Sequence, residues 1–256
     1  MKLLVNGKLV TEPLSLPFSL SFIRGDGLFE TILGIDEKII AWHRHYERLA
    51  KSAEKILITI PARIDIEVGI NQLLKGVVGK SRVRVAVLAD GNWLIAVEQV
   101  PEQDKLPSLI KMNQILNSNS PLTAVKSISY GQSMLAVRLA QARGYTDGVY
   151  LNQNGDVVET GSANIVVLKN EKFITPSLES GCLPGITRQI LIKHFDISEE
   201  LFTWDEMLES DAIFLCSSIR LLIPVCKVED KLFENNPVGE KLIGDLNQLI
   251  RSKMEL

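Results

Sequence analysis

The hydrophobic period changes several times along this chain, and it does so without a regular rhythm. Apolar residues cluster over 2–10, 27–34 and 37–41 between the turn signals Asn6-Gly7 and Gly34-Ile35-Asp36-Glu37, so these segments read as strands. From Trp42 to Leu57 the spacing of Tyr46, Leu49, Ala53 and Ile56 follows one face of a helix. Pro61 opens a second helical stretch with Ile64, Val68, Ile70, Leu73 and Leu74 as its apolar side, ended by Gly76 to Gly79. Strands follow at 82–89, 93–99 and 109–116. The polar run Asn117-Ser118-Asn119-Ser120-Pro121 breaks every period, which predicts a linker at 117–122 between an N-terminal domain (1–116) and a C-terminal domain (123–256). In the latter, a helix over 128–143 precedes strands at 147–152, 156–159 and 163–168, and a short helix follows Pro184-Gly185. Strands at 211–216 and 221–228 and an amphipathic helix at 237–253 complete it. A doubly wound sheet needs strands and helices in strict alternation; this pattern predicts α+β domains instead.

Composition narrows the functional classes. The 256 residues are 46% hydrophobic and carry 28 basic against 31 acidic side chains, the balance of a globular chain long enough to bury a core without disulfide or metal staples. Apolar runs such as VRVAVLA and NIVVL fall far short of the ~18 residues a membrane helix needs. The opening MKLLVNGKLV reads as a hairpin rather than a secretory leader, so a cytoplasmic protein is expected. Without basic blocks the chain is not expected to bind nucleic acid, and small molecules are the expected partners. Cys182, Cys216 and Cys226 lack CxxC spacing and read as buried thiols. His43, His45 and His194 form no spaced ligand set, so no metal is expected, and GxSxG is absent.

Four groups of residues carry chemistry when taken in order: RGDGLFET (24–31), HRHYERL (43–49), VKSISY (125–130), and VVETGSANIVVL (157–168) followed by GCLPGITRQIL (181–191). Together they resemble the fold-type IV pyridoxal-phosphate enzymes, the class IV aminotransferase family, from about residue 3 to residue 228. That family includes branched-chain aminotransferases, D-amino acid aminotransferases and 4-amino-4-deoxychorismate lyases. The resemblance implies a two-domain α+β fold like that of D-amino acid aminotransferase. It further implies pyridoxal 5'-phosphate in the crevice between the domains, and a homodimer.

By residue type alone Lys126 is a surface lysine; the resemblance makes it the Schiff-base lysine, whose freed amine also carries the substrate's α-proton. Glu159 matches the carboxylate that keeps the pyridine nitrogen protonated, so that the ring absorbs electrons, with Asn164 supporting it. Leu183-Pro184-Gly185-Ile186-Thr187 looks like the family's phosphate turn, where the N–H groups of Ile186 and Thr187 open a helix. Arg48 matches the H-x-x-R-L arginine that contacts phosphate oxygens. Ser217 and Ser218 stand where the family offers a hydroxyl and an N–H, and Tyr130 is expected to line the pocket.

Within the family, Phe29 and Thr31 resemble the lyases, as does CSSIRLLIPV, although Ser217 replaces an Asn usual there. The resemblance therefore implies elimination of pyruvate to give 4-aminobenzoate for folate synthesis, with a branched-chain or D-amino acid aminotransferase as the alternative. Asp90 stands where many relatives carry an arginine. The cation for a substrate carboxylate is then Arg220, Arg84 or Arg24, between which the sequence does not choose.

Overall fold

The computed structural model describes residues 1–10, 19–101 and 105–253. The chain divides into two compact units: Met1–Glu102 with Val125–Tyr130 and Lys253–Leu256, and Gln103–Ala124 with Gly131–Ser252.

The first unit is built from β1 (Lys2–Val5), β2 (Lys8–Leu9), α1 (Leu20–Arg24), β3 (Gly27–Ile35), β4 (Lys38–Ile39), α2 (Trp42–Lys55), α3 (Arg63–Leu74), β5 (Lys80–Leu88) and β6 (Trp93–Gln99). Its strands form one antiparallel sheet in the order β2-β1-β6-β5-β3-β4. Alternation sets the faces. Val83, Val85 and Val87 of β5 point into the core with Leu28 and Ile32 of β3, while Arg82 and Arg84 lie on the other face. Leu49 and Ala53 of α2 and Ile66, Ile70, Leu73 and Leu74 of α3 cover that inward row. Each such fully buried aliphatic side chain contributes about 1.5–3 kcal/mol. Ile64 and Val68, read from the sequence as part of this stripe, are exposed, because the row starting at Ile66 repeats at helical spacing and they fall outside it.

Residues 125–128 return to this unit as an added edge. Leu28 pairs with Ser127, the Phe29 N–H donates to the Lys126 carbonyl at 2.9 Å, and the Ile128 N–H donates to that of Gly27 at 3.0 Å. β4 pairs only with Gly34 and Ile35, so the N-terminal half of β3 had an open edge for this segment.

The second unit holds β7 (Ser108–Ile115), α4 (Gly131–Ala142), β8 (Asp147–Leu151), β9 (Val157–Thr160), β10 (Asn164–Lys169), β11 (Lys172–Pro176), α5 (Ile186–His194), β12 (Ile197–Glu200), α6 (Trp204–Leu208), β13 (Ala212–Ser217), β14 (Leu221–Pro224), β15 (Lys227–Val228), β16 (Lys231–Leu232) and α7 (Pro237–Ser252). Two five-stranded sheets, β16-β15-β7-β8-β9 and β12-β11-β10-β13-β14, share a core in which Val149 and Val157 of one meet Ile165, Val167, Ile213 and Leu215 of the other. Both sheets mix parallel and antiparallel pairs, as an α+β arrangement predicts.

Three sequence-based boundaries differ from the structure. The strand at 109–116, assigned above to the first domain, belongs to the second unit, because β7 pairs in parallel with β8. The helix expected from residue 128 starts at Gly131, since Ser127 and Ile128 are held by the edge of β3. The strand expected over 221–228 is two, β14 on β13 and β15 on β7, with Pro224 and its missing N–H at the break. Cys182 and Cys216 are buried, and burial pushes their thiols up to about 11 and about 12, away from any nucleophilic role at neutral pH. No helix among the described residues is long and apolar enough to cross a membrane.

Candidate active site

In the first unit, the edge strand holds Lys126 by its backbone and leaves its side chain against aromatic rings. Nζ lies 4.4 Å from the centroid of Phe29 and 5.4 Å from that of Tyr130. The two rings meet edge to face, with centroids 5.2 Å apart. A primary amine is thus set on an apolar, electron-rich surface. Thr31 lies two residues along the same face of β3, opposite Arg84, which faces Glu98 at 3.6 Å. Arg24 is exposed in the last turn of α1.

Glu30 points the other way, into the core. There its fully buried carboxylate accepts from Arg48 Nε at 2.8 Å and Nη2 at 2.6 Å, and faces His45 Nδ1 at 2.7 Å. His45 and Arg48 sit one turn apart on α2, which brings both to one carboxylate. Burial works to raise the Glu30 carboxyl, but the Arg48 guanidinium and the His45 ring outweigh it and hold it at about 2. Burial lowers the His45 ring below its ordinary value, with Arg48 and Lys126 adding repulsion against a second positive charge. The ring is therefore neutral, and its Nδ1–H donates to Glu30.

In the second unit, three turns meet at one end of the β10–β13 pair, where Asn164 is opposite Cys216 and Ser217 ends β13. Asn164 Nδ2 donates to Glu159 Oε2 at 3.0 Å and to the Leu183 carbonyl at 2.9 Å; the Leu183 N–H donates to the same Glu159 oxygen at 3.1 Å. The carboxylate is thereby fixed at the end of β9, and the Leu183–Gly185 turn is tied to it. Gly185 caps α5 without a side-chain acceptor, and Ile186 and Thr187 open the helix, both buried. A Cβ at Gly185 would stand 1.9 Å from Asn164 Oδ1. Gly185→Ala is accordingly expected to cost about 1–3 kcal/mol by overpacking, read as a lower unfolding midpoint, and to free Glu159 by displacing Asn164. Ser217 Oγ accepts from the Arg220 N–H at 3.4 Å, and Ser218 follows in the same turn before β14.

The structure thus groups Lys126, Phe29 and Tyr130 in one unit, and Glu159, Asn164, Ile186, Thr187, Ser217, Ser218 and Arg220 in the other. Nε and Nη2 of Arg48 are committed to Glu30, and Arg84 faces Glu98. Sequence reasoning missed Glu30 and His45. Their signal was present, since Glu30 occupies the core-facing position between Leu28 and Ile32, where a charge needs a partner.

Comparison with known proteins identifies the family. Residues 27–228 match the family model described as amino-transferase class IV. The chain belongs to this family, whose members are pyridoxal-phosphate-dependent enzymes. An aminodeoxychorismate lyase of Bacillus subtilis is 28% identical over 88% of this chain and 86% of its own. A Methanocaldococcus jannaschii protein classed among the branched-chain-amino-acid aminotransferases is also 28% identical, over 94% and 92%. The crystal structure of branched-chain aminotransferase from Thermoproteus uzoniensis superposes with a TM-score of 0.91 over 100% of this chain and 96% of that one, at 22% identity, and so shows the shared fold. The donor chemistry suits the cofactor: an amine on aromatic faces, a carboxylate fixed by an amide and an N–H, and a helix opening at a glycine that admits no side chain.

Proposed function

We propose that the chain is a 4-amino-4-deoxychorismate lyase, releasing pyruvate and 4-aminobenzoate for folate synthesis, and that it works as a cytoplasmic homodimer. The observation that carries this reading is the aromatic corner formed by Phe29 and Tyr130 around Lys126, a surface suited to a flat ring that becomes aromatic as it reacts. Pyridoxal phosphate, when bound, supplies an electron sink for the carbon that carries the substrate's amino group.

On this reading Lys126 and Glu159 hold the reactive end of the cofactor, with Asn164 and Leu183 fixing the carboxylate and Tyr130 lining the pocket. Ile186, Thr187, Ser217, Ser218 and Arg48 supply donors to its phosphate. Lys126 Nζ removes the proton from the amino-bearing ring carbon. The C–O bond at the neighbouring carbon then breaks, its electron pair leaves with the enolpyruvyl oxygen, and the ring gains its third double bond. The departing enol takes up a proton to become pyruvate, while the amino group stays on the ring. Phe29 and Thr31 face the substrate.

The test is chromatographic detection of 4-aminobenzoate from aminodeoxychorismate and the purified, cofactor-loaded protein. Product formed at a catalytic rate supports the lyase; its absence from protein that retains the cofactor overturns it. A branched-chain or D-amino acid aminotransferase is the second reading, favoured by the similarity to the M. jannaschii protein. It predicts conversion of the cofactor to its amine form by an amino acid alone.

A further inference from the structure

We propose that Arg220 is the cation that receives a second carboxylate of the substrate, and that Ser162 and the buried Asp147 are the positioning residues that hold it ready. Arg220 Nη1 donates to Ser162 Oγ at 3.0 Å, and the Ser162 hydroxyl donates to Asp147 Oδ2 at 2.6 Å. Because that proton is directed at the carboxylate, the hydroxyl oxygen presents only lone pairs to the guanidinium. Asp147, 3% exposed, also accepts from the Thr160 hydroxyl at 2.9 Å and from the N–H groups of Gly161 at 3.1 Å and Gly148 at 2.8 Å. Four donors thus satisfy this carboxylate without a guanidinium.

Arg220 is therefore tethered through a neutral hydroxyl, and its charge is not cancelled by an ion pair. Among the described residues no carboxylate lies within 4.0 Å of it, whereas Arg48 is paired with Glu30, and Arg82 and Arg84 with Glu98. The tether joins the Ser217–Arg220 turn to the Thr160–Asn164 turn, the two turns that flank Glu159 and Ser218 at the end of β10 and β13. A guanidinium that is both oriented and uncompensated suits a planar anion, which it meets with paired N–H donors. The ligand class is an amino substrate with a carboxylate beyond the amino-bearing carbon. The identification of that group with the ring carboxylate of aminodeoxychorismate rests on the function proposed above.

The test is equilibrium binding to the cofactor-loaded protein by calorimetry, with two ligand pairs that differ only in a carboxylate: 4-aminobenzoate against 4-aminobenzamide, and glutarate against valerate. A preference for the acid of about tenfold is expected, the size of one charge-assisted contact. Arg220→Gln should abolish the preference while leaving amide affinity unchanged. Arg220→Lys should retain part of it, and Ser162→Ala should lower it. A preference that survives Arg220→Gln, or none in either pair with the wild-type protein, overturns the proposal. An Arg220-dependent preference in a protein that forms no 4-aminobenzoate upholds Arg220 and removes only the lyase reading.

Discussion

On the proposed function, Lys126→Ala is expected to reduce 4-aminobenzoate release by about ten-thousandfold, since it removes the residue assigned as both covalent anchor and base for the ring proton. The fold should survive. What fixes residues 125–128 is backbone: the Phe29 N–H donating to the Lys126 carbonyl, the Ile128 N–H donating to Gly27, and the pairing of Leu28 with Ser127. Truncating the side chain removes a cation from the faces of Phe29 and Tyr130 but leaves their edge-to-face contact in place. The unfolding midpoint should therefore move little, and added methylamine should restore a fraction of the rate by serving as an external base. Retention of more than about one part in a hundred of the activity would refute the role given to this amine.

Glu30→Gln should have the largest effect on stability. Two Arg48 nitrogens and His45 Nδ1 meet on one carboxylate that is 0% exposed, so the amide would remove the charge that faces two nitrogens of a buried guanidinium. Removing one partner of such a pair costs about 3–5 kcal/mol, which in a unit of this size lowers the unfolding midpoint by on the order of 10 °C. The pH dependence has a definite sign. Glu30 is held at about 2 against an ordinary 4.5, and His45 lies below its ordinary 6.5, so the folded state binds fewer protons than the unfolded chain at both groups. Their stabilisation is complete above the ordinary values. It declines below pH 6.5 as unfolded His45 takes up a proton, and declines further from pH 4.5 towards 2 as unfolded Glu30 does. Calorimetric midpoints taken down this range should show both limbs, and Glu30→Gln should lack the lower one. A variant with the wild-type midpoint and acid profile would refute the account of this cluster.

Local signals and ordered motifs made much of the architecture legible. Asn6-Gly7 marked the first hairpin, the Tyr46 and Leu49 spacing marked α2, and the ETGSAN and LPGIT segments pointed to turns that the structure ties together through Asn164. What stayed hidden depends on partners distant in sequence. Nothing local to 109–116 reveals that β7 pairs with β8 rather than with the strands just before it. Nothing local to VKSISY shows that it docks on β3. Glu30 reads locally as part of a motif, although its place on an apolar face between Leu28 and Ile32 calls for a buried cation. The proposal of Arg220 over Arg84 and Arg24 rests on the pairing of Arg84 with Glu98 and on the tether of Arg220 to Ser162, information that resides in pairing and not in residue type.

The return of residues 125–128 to β3 also sets a timetable for biosynthesis. As the chain leaves the ribosome, the first sheet can assemble from residues 1–102, but the open edge beside Phe29 must wait until the segment around Lys126 has emerged. Closing that long loop is entropically costly and slow relative to local hairpins. The amine of Lys126 is thus set in place among the last events of that unit's folding, and a nascent or truncated chain ending before it carries most of the sheet but lacks the lysine that the proposed function assigns to the cofactor.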